Sequence, residues 1–199
     1  MKKLQRDDLL SLESYAAQRD GFRARVMGHK QSLQLSLGPH LRLLFEDRLT
    51  IQYQVQEMLR IEKLFEAEEI QQELDAYNPL IPDGDNWKAT MMLEYPDIDE
   101  RREALSQLVG IEEQVMLHVG DEPAVAPVAD EDMDRSEPGK TSSVHFLRWQ
   151  LSDEMRQALS EGAPVWFSCE HPALAARTEP LGEPTRSALI QTLDPLRPH

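Results

Sequence analysis

The chain has 199 residues, with 21 basic against 36 acidic side chains and a formal net charge of −15. This charge repels phosphate backbones and anionic lipid surfaces, so we expect no nucleic-acid partner. No apolar run reaches the roughly 18–20 residues of a membrane helix, which argues against membrane insertion. The charged start lacks the apolar stretch of a signal peptide, and a cytoplasmic location is expected.

The first part of the chain is predicted to be mainly helical around one hairpin. Apolar residues recur at spacings of three and four in three segments, 8–28, 49–65 and 67–77. Strict alternation over 33–37 and 41–45 predicts two strands that form a β-hairpin across Gly38-Pro39. A loop rich in Pro, Gly and Asp follows at 78–86.

The remainder reads as strands separated by short helices. Strands are predicted at 88–95, 114–119, 124–128, 142–151 and 164–170, and helices at 97–108, 152–161 and 184–193. The acidic connection 129–140 is expected to be an exposed hairpin loop. We therefore predict an α+β fold, an antiparallel sheet with helices packed on one side. One domain is expected over 1–199, with 1–80 mainly helical and 86–194 mainly sheet.

The negative charge is concentrated in the middle of the chain. Residues 61–139 contain 5 basic and 22 acidic side chains, whereas the flanking segments are nearly balanced. Solvated helix faces and loops would account for this pattern. A docking surface for a basic partner is the functional alternative, and it would act mainly on the rate of association.

Three charged residues fall on helical stripes that should be apolar. Glu62 lies on the stripe of the 49–65 helix, and Arg19 and Arg23 lie on that of the first helix. One interpretation is a buried ion pair that fixes the register of the two helices. Another is a pocket in which Arg19 and Arg23 bind a small anion. A third is that Gly21 shifts the helical phase.

Histidines offer the only candidates for a metal site. Alternation places His145 on the core face of its strand, and His118 lies near the end of another. A site assembled across the fold from His145, His118, Glu94 and Glu62 is one hypothesis. The alternative is that His145 is a hydrogen-bonded core residue.

Known catalytic motifs are missing from the sequence. Cys169 is the only cysteine, so the chain cannot hold a cysteine-ligated iron–sulfur cluster by itself. The sequence does not indicate any other cofactor. We expect Cys169 to be a buried, inert thiol. The sequence has neither a nucleophile elbow nor a glycine-rich phosphate loop, so a non-catalytic role is favoured.

Several blocks of the sequence resemble an uncharacterised bacterial family, domain-of-unknown-function family 3501. The blocks are 37–50, 53–54, 56–62, 73–82, 88–91, 94–96 and 141–147. The resemblance extends from Leu4 to about Asp194. It assigns no catalytic residues, but it implies partners, because members are typically encoded beside rubrerythrin-like di-iron proteins and iron–sulfur oxidoreductases. A role near peroxide handling or electron transfer is what this resemblance implies.

Within these blocks, polar residues are dense where the hairpin meets the long helix. Asp47 is placed to cap that helix, but the cluster is larger than a cap requires, since it consists of Glu46, Asp47, Arg48, Tyr53, Gln54, Glu57 and Arg60. We therefore expect a binding site there, and together with the charged stripes the ligand-binding candidates are Arg19, Arg23, Arg48, Tyr53, Glu57, Arg60 and Glu62.

Three functional hypotheses follow. The preferred one is a non-catalytic accessory or regulatory protein that acts with rubrerythrin-like and iron–sulfur partners in the response to peroxide or oxidative stress. The second is a metal-binding enzyme or metal carrier that uses His145 with nearby carboxylates. The third is a small-anion sensor with a pocket at Arg19 and Arg23. The oligomeric state is left open.

Overall fold

The computed structural model describes residues 1–196, and the α+β class is confirmed. The helices in this range are α1 Leu12–Lys30, α2 Arg48–Glu62, α3 Ala67–Tyr77, α4 Ile98–Gln107, α5 Asp153–Ser160 and α6 Glu183–Ile190. The strands are β1 Gln34–Leu37, β2 Leu41–Phe45, β3 Asn86–Leu93, β4 Val115–Val119, β5 Val128–Ala129, β6 Val144–Gln150, β7 Val165–His171 and β8 Leu174–Arg177.

The strands form two antiparallel sheets where the sequence predicts one. The larger sheet has the order β1-β2-β3-β6-β5, and the smaller has the order β4-β7-β8. The predicted strand 124–128 is divided between them, because Val125 bridges to Leu117 of β4 while Val128 and Ala129 pair with β6. Strand β8 was not predicted, since its sequence Leu-Ala-Ala-Arg has no β-branched residue; it pairs with β7.

The main core lies between the inner faces of the two sheets. Phe45, Trp149 and Phe167 meet there with ring centroids 5.2–6.1 Å apart. The Trp149 indole satisfies its N–H by donating to the Val115 carbonyl at 2.8 Å. His145 lies on this buried face, as the alternation predicts.

A second apolar cluster joins α2 and α3 to the N-terminal segment. Its buried members are Leu4, Ile51, Val55, Leu59, Leu74 and Ile81. Asp47 caps α2 by accepting from the Thr50 amide, and the Thr50 hydroxyl accepts from the Asp47 amide. Within residues 1–196, no helix combines the length and the apolar character needed to cross a membrane.

Helix α2 ends three residues earlier than predicted. Lys63 adopts the left-handed conformation (φ 58°), which stops the helix at Glu62. Glu62 is therefore exposed in the last turn, and its predicted place on a buried stripe is wrong. Phe65, predicted to continue that stripe, lies beyond the helix and is 66% exposed.

Candidate functional site

The predicted ion pair between the first two long helices forms, but with a different glutamate. Arg19 on α1 donates from Nε and Nη2 to the two carboxylate oxygens of Glu57 on α2, at 2.7 and 2.8 Å. Glu62 takes no part because α2 presents Glu57 to α1. Arg23, one turn after Arg19, is exposed. The expectation that Arg23 lies on a buried stripe is therefore also wrong.

Glu57 is the centre of a saturated hydrogen-bond network. The Tyr15 hydroxyl donates to Oε1 at 2.6 Å, and Arg60 Nη2 donates to Oε2 at 3.2 Å. The hydrogen bonds from Arg19, aided by those of Tyr15 and Arg60, lower the pKa of Glu57 to about 2 against the opposing effect of burial. Burial and the neighbouring carboxylate raise the pKa of Tyr15. With four donors on its two oxygens, Glu57 has no acceptor capacity left for a ligand.

The other two predicted binding residues near the start of α2 have separate contacts. Arg48 binds the N-terminal segment, donating to Asp8 at 2.7 Å and to the Lys2 carbonyl at 3.2 Å. The Tyr53 ring stacks on Phe22 with centroids 6.2 Å apart. The structure therefore brings Arg19, Glu57 and Arg60 together and gives Arg48 and Tyr53 different partners. These contacts hold the helices and the N-terminal segment to one another.

The four residues proposed as metal ligands lie in different parts of the fold, and Glu62 ends α2. His118 belongs to β4 and contacts Ser168 Oγ at 2.8 Å, whereas Glu94 follows β3 and pairs with Arg42 at 2.9 Å. Burial lowers the pKa of His118. His145 has neither of them as a neighbour. Across residues 1–196, no group of three or more His, Cys, Asp or Glu side chains is placed to hold a metal ion.

His145 is instead held by residues that the sequence analysis did not select. Its Nδ1 lies 2.6 Å from Asp130 Oδ2, and its Nε2 lies 2.8 Å from Thr141 Oγ1. Thr141 also contacts Glu112 Oε2 at 3.3 Å. A hydroxyl, an imidazole and a carboxylate in this order are the components of a hydrolase triad. Here His145 is fully buried and Thr141 is 1% exposed, so the array is closed to a substrate and fixes the 129–140 loop.

An open apolar groove lies between the N-terminal segment and the α2–α3 turn. It has a volume of about 480 Å³. Its apolar lining, which we call the docking groove, consists of Leu9, Leu10, Leu12, Leu59, Leu64, Phe65 and Ile70. The left-handed turn at Lys63 places Phe65 at this groove. Ile61, in the last turn of α2, is also 62% exposed.

Acidic side chains surround the α2–α3 turn. Glu62 at the end of α2 and Glu66 and Glu68 at the start of α3 are exposed, and Glu69 is partly exposed. The start of a helix favours acidic residues because of its positive dipole, and this accounts for part of the charge. It does not account for the exposed aromatic ring beside them. An exposed apolar patch with a polar rim is a common feature of interaction sites.

Comparison with known proteins places the chain in a family. Residues 3–193 match the model of a family described as protein of unknown function (DUF3501). The chain belongs to this family. A crystal structure of a novel protein of unknown function from Burkholderia pseudomallei is 49% identical, covers 97% of this chain and 100% of that chain, and has a TM-score of 0.91. No curated protein matches the chain in sequence. The family predicted from the sequence blocks is confirmed.

Proposed function

We propose that this chain is a non-catalytic accessory protein that binds a basic segment of a redox partner in the docking groove. The observation that carries the proposal is Phe65, a phenylalanine that is 66% exposed at an apolar groove, in a turn with three exposed glutamates. Scattered apolar residues on a surface need no explanation, whereas an aromatic residue beside an apolar groove favours binding.

Burial of this surface supplies the affinity. Aromatic anchors contribute much of the free energy of binding at protein interfaces. Covering the side chains of Phe65 and Ile61 contributes about 25 cal/mol of favourable free energy for each Å² of apolar surface removed from water. Leu9 and Ile70 form part of the groove against which a partner's apolar side chain would pack.

Charge defines the partner. Glu62, Glu66, Glu68 and Glu69 form the acidic side of the turn, with Lys63 among them, and one basic and one acidic residue, Arg6 and Asp7, line the groove itself. This surface attracts a basic segment and repels an acidic one, and the attraction between exposed charges weakens as salt increases. A segment that carries both apolar and basic side chains therefore fits the groove.

Backbone strain in the turn supports the same interpretation. A left-handed conformation at a residue other than Gly, Asn or Asp costs of order 1 kcal/mol. Lys63 occupies this conformation in the turn that leads to Phe65. Continued helix through Phe65 would avoid that cost, so the fold retains a strained turn that exposes an aromatic residue.

The class of partner comes from the family resemblance. It points to rubrerythrin-like di-iron proteins and iron–sulfur oxidoreductases, and with them to a role in the response to peroxide or oxidative stress. The contribution of this chain would be binding or regulation, with the redox chemistry on the partner.

The test is a direct binding measurement with both partners encoded in the same genome, purified without oxygen. Association is measured by biolayer interferometry at roughly 20 mM and 300 mM salt, which changes the screening length several-fold. We expect Phe65→Ser to weaken binding by about tenfold or more, as for an interface anchor. Glu66→Lys with Glu69→Lys should weaken it mainly at low salt.

Ile98→Ser is the matched control, because Ile98 on α4 is similarly exposed (62%) and lies outside the groove. It should bind like the unmodified chain. If the chain binds neither of the two partners at low salt, the proposal is overturned. Binding that Phe65→Ser leaves unchanged would overturn the assignment of the groove.

A further inference from the structure

A second cavity lies on the outer face of the five-stranded sheet, the face turned away from the smaller sheet. It has a volume of about 340 Å³, within the range of about 300–1,000 Å³ typical of small-molecule sites. Ala76, Pro79 and Leu80 line it from α3 and the turn that follows, and Phe146 lines it from β6. None of these residues lines the docking groove.

Glu46 supplies a buried carboxylate in this apolar lining. It follows Phe45 at the end of β2, so alternation turns its side chain to the outer face of the sheet. The residue is only 7% exposed. Its backbone N–H donates to the Lys88 carbonyl at 2.9 Å, which continues the pairing of β2 with β3 and fixes its position.

The hydrogen bonds to this carboxylate come from neutral groups. Oε2 accepts from Thr50 Oγ1 at 2.6 Å and Gln54 Nε2 at 3.1 Å, whereas Oε1 accepts from Thr90 Oγ1 at 3.2 Å. A carboxylate oxygen accepts two hydrogen bonds, so Oε1 has room for another donor. Burial raises the pKa of Glu46, opposed by its hydrogen bonds and by the charge of Lys30. A charged donor would satisfy this oxygen and offset the cost of its burial.

The two basic residues of the cavity are engaged elsewhere. Lys88 Nζ donates to the Pro79 carbonyl and binds Asp83, both at 2.7 Å. Arg148 binds Glu131 through two hydrogen bonds of 2.7 and 2.8 Å. Both cations are therefore neutralised by carboxylates, and the cavity has no basic group that is available to bind an anion among its lining residues.

We propose that this cavity binds an organic cation, a primary ammonium group on an apolar body the size of an aromatic ring. The ammonium group donates to Glu46 Oε1. The apolar body packs against Leu80, the Ala76 methyl group and the part of Phe146 that lines the cavity and is not covered by Arg135, whose guanidinium lies 4.5 Å from the ring centroid. An ammonium ion matches the site because it supplies a charged hydrogen-bond donor, whereas the present donors to Glu46 are all neutral.

Three compounds of similar size and different charge test this site by isothermal titration calorimetry at neutral pH. They are 2-phenylethylamine as the cation, 2-phenylethanol as the neutral analogue and 3-phenylpropionate as the anion. We expect the amine to bind at least tenfold more tightly than the alcohol, and the anion not to bind. Equal affinity for the amine and the alcohol, preference for the anion, or no binding of the amine at millimolar concentration would each overturn the proposal.

Two substitutions locate the site. Glu46→Gln should lower the affinity for the amine at least tenfold and leave the affinity for the alcohol unchanged. Ala76→Trp, at an exposed position of α3 that lines the cavity, should fill the space and abolish binding of both. Ala67→Trp is the control, since Ala67 is exposed on the opposite side of the same helix and does not line the cavity. Unchanged amine binding in Ala76→Trp would refute the location.

Discussion

The Glu57 network is the most direct test of how α1 and α2 are held together. Glu57→Gln keeps the size of the side chain and one acceptor oxygen but removes the negative charge. The substituted side chain can no longer form charge-assisted hydrogen bonds with both nitrogens of Arg19. We expect the variant to fold and to be less stable.

The magnitude follows from the geometry. Hydrogen bonds to charged groups contribute about 1.5–3 kcal/mol each when well formed. The Glu57 and Arg19 side chains are 16% and 31% exposed, and solvent screening reduces the contribution of the pair. We therefore expect a loss of about 2 kcal/mol in the free energy of unfolding. For a protein of this length, that corresponds to a Tm lower by about 4–8 °C.

The pH dependence gives an independent check. The pKa of Glu57 is lowered to about 2 from an ordinary value of 4.5, so the folded state favours the ionised form. Its stabilisation is fully present above about pH 4.5 and is lost as the pH falls toward 2. The difference in stability between the unmodified chain and Glu57→Gln should decrease over this interval.

Urea denaturation followed by circular dichroism, at several pH values from 7 to about 2.5, measures this difference, because urea adds no salt that would screen the ion pair. Glu13→Gln, at an exposed position of α1, is the matched control and should change stability by at most about 0.5 kcal/mol. A Glu57→Gln variant as stable as the control at pH 7 would refute the network. So would a stability difference that is independent of pH.

Three further predictions concern stability and reactivity. Asp130→Asn should lower the free energy of unfolding by about 1–3 kcal/mol, because it weakens the hydrogen bond to the buried His145 ring. Asn tolerates the positive φ of 50° at this position, so the backbone adds no further cost. An unchanged Tm would contradict this prediction. Asp47 and Asp97 both cap a helix, but of these two only Asp47 is buried. Asp47→Ala should therefore lower the free energy of unfolding by about 2 kcal/mol and Asp97→Ala by about 1 kcal/mol, as measured by thermal unfolding. Equal losses would contradict this prediction. Cys169, buried and with its pKa raised by burial, should react with a thiol reagent at pH 8 only as the chain unfolds, and rapid labelling of folded protein would disprove this.

Local patterns predicted most of the elements and several buried faces correctly. Helix α3 was predicted at 67–77, where it lies, because its apolar spacing and the following Asn-Pro define both ends. His145 and Trp149 were placed on the inner face of their strand because alternation depends only on adjacent residues. The family also followed from the sequence blocks.

Prediction was wrong where a backbone conformation or a distant partner decided the outcome. Lys63 ends α2 in a left-handed conformation without the glycine that usually marks such an end, so Glu62 and Phe65 were misplaced. Strand β8 has weak strand propensity and depends on pairing with β7. The division of the strands into two sheets likewise depends on pairing between distant segments.

The partners of the candidate site residues likewise depend on contacts between distant segments. The sequence by itself determined the fold class, the excess of acidic charge and the residues available for binding. Only the tertiary structure decided that Arg19 pairs with Glu57, 38 residues away, and that Glu46 lines a cavity with residues of α3 and β6. Periodicity reports which side of an element a residue occupies, whereas its partner is set by how distant elements pack.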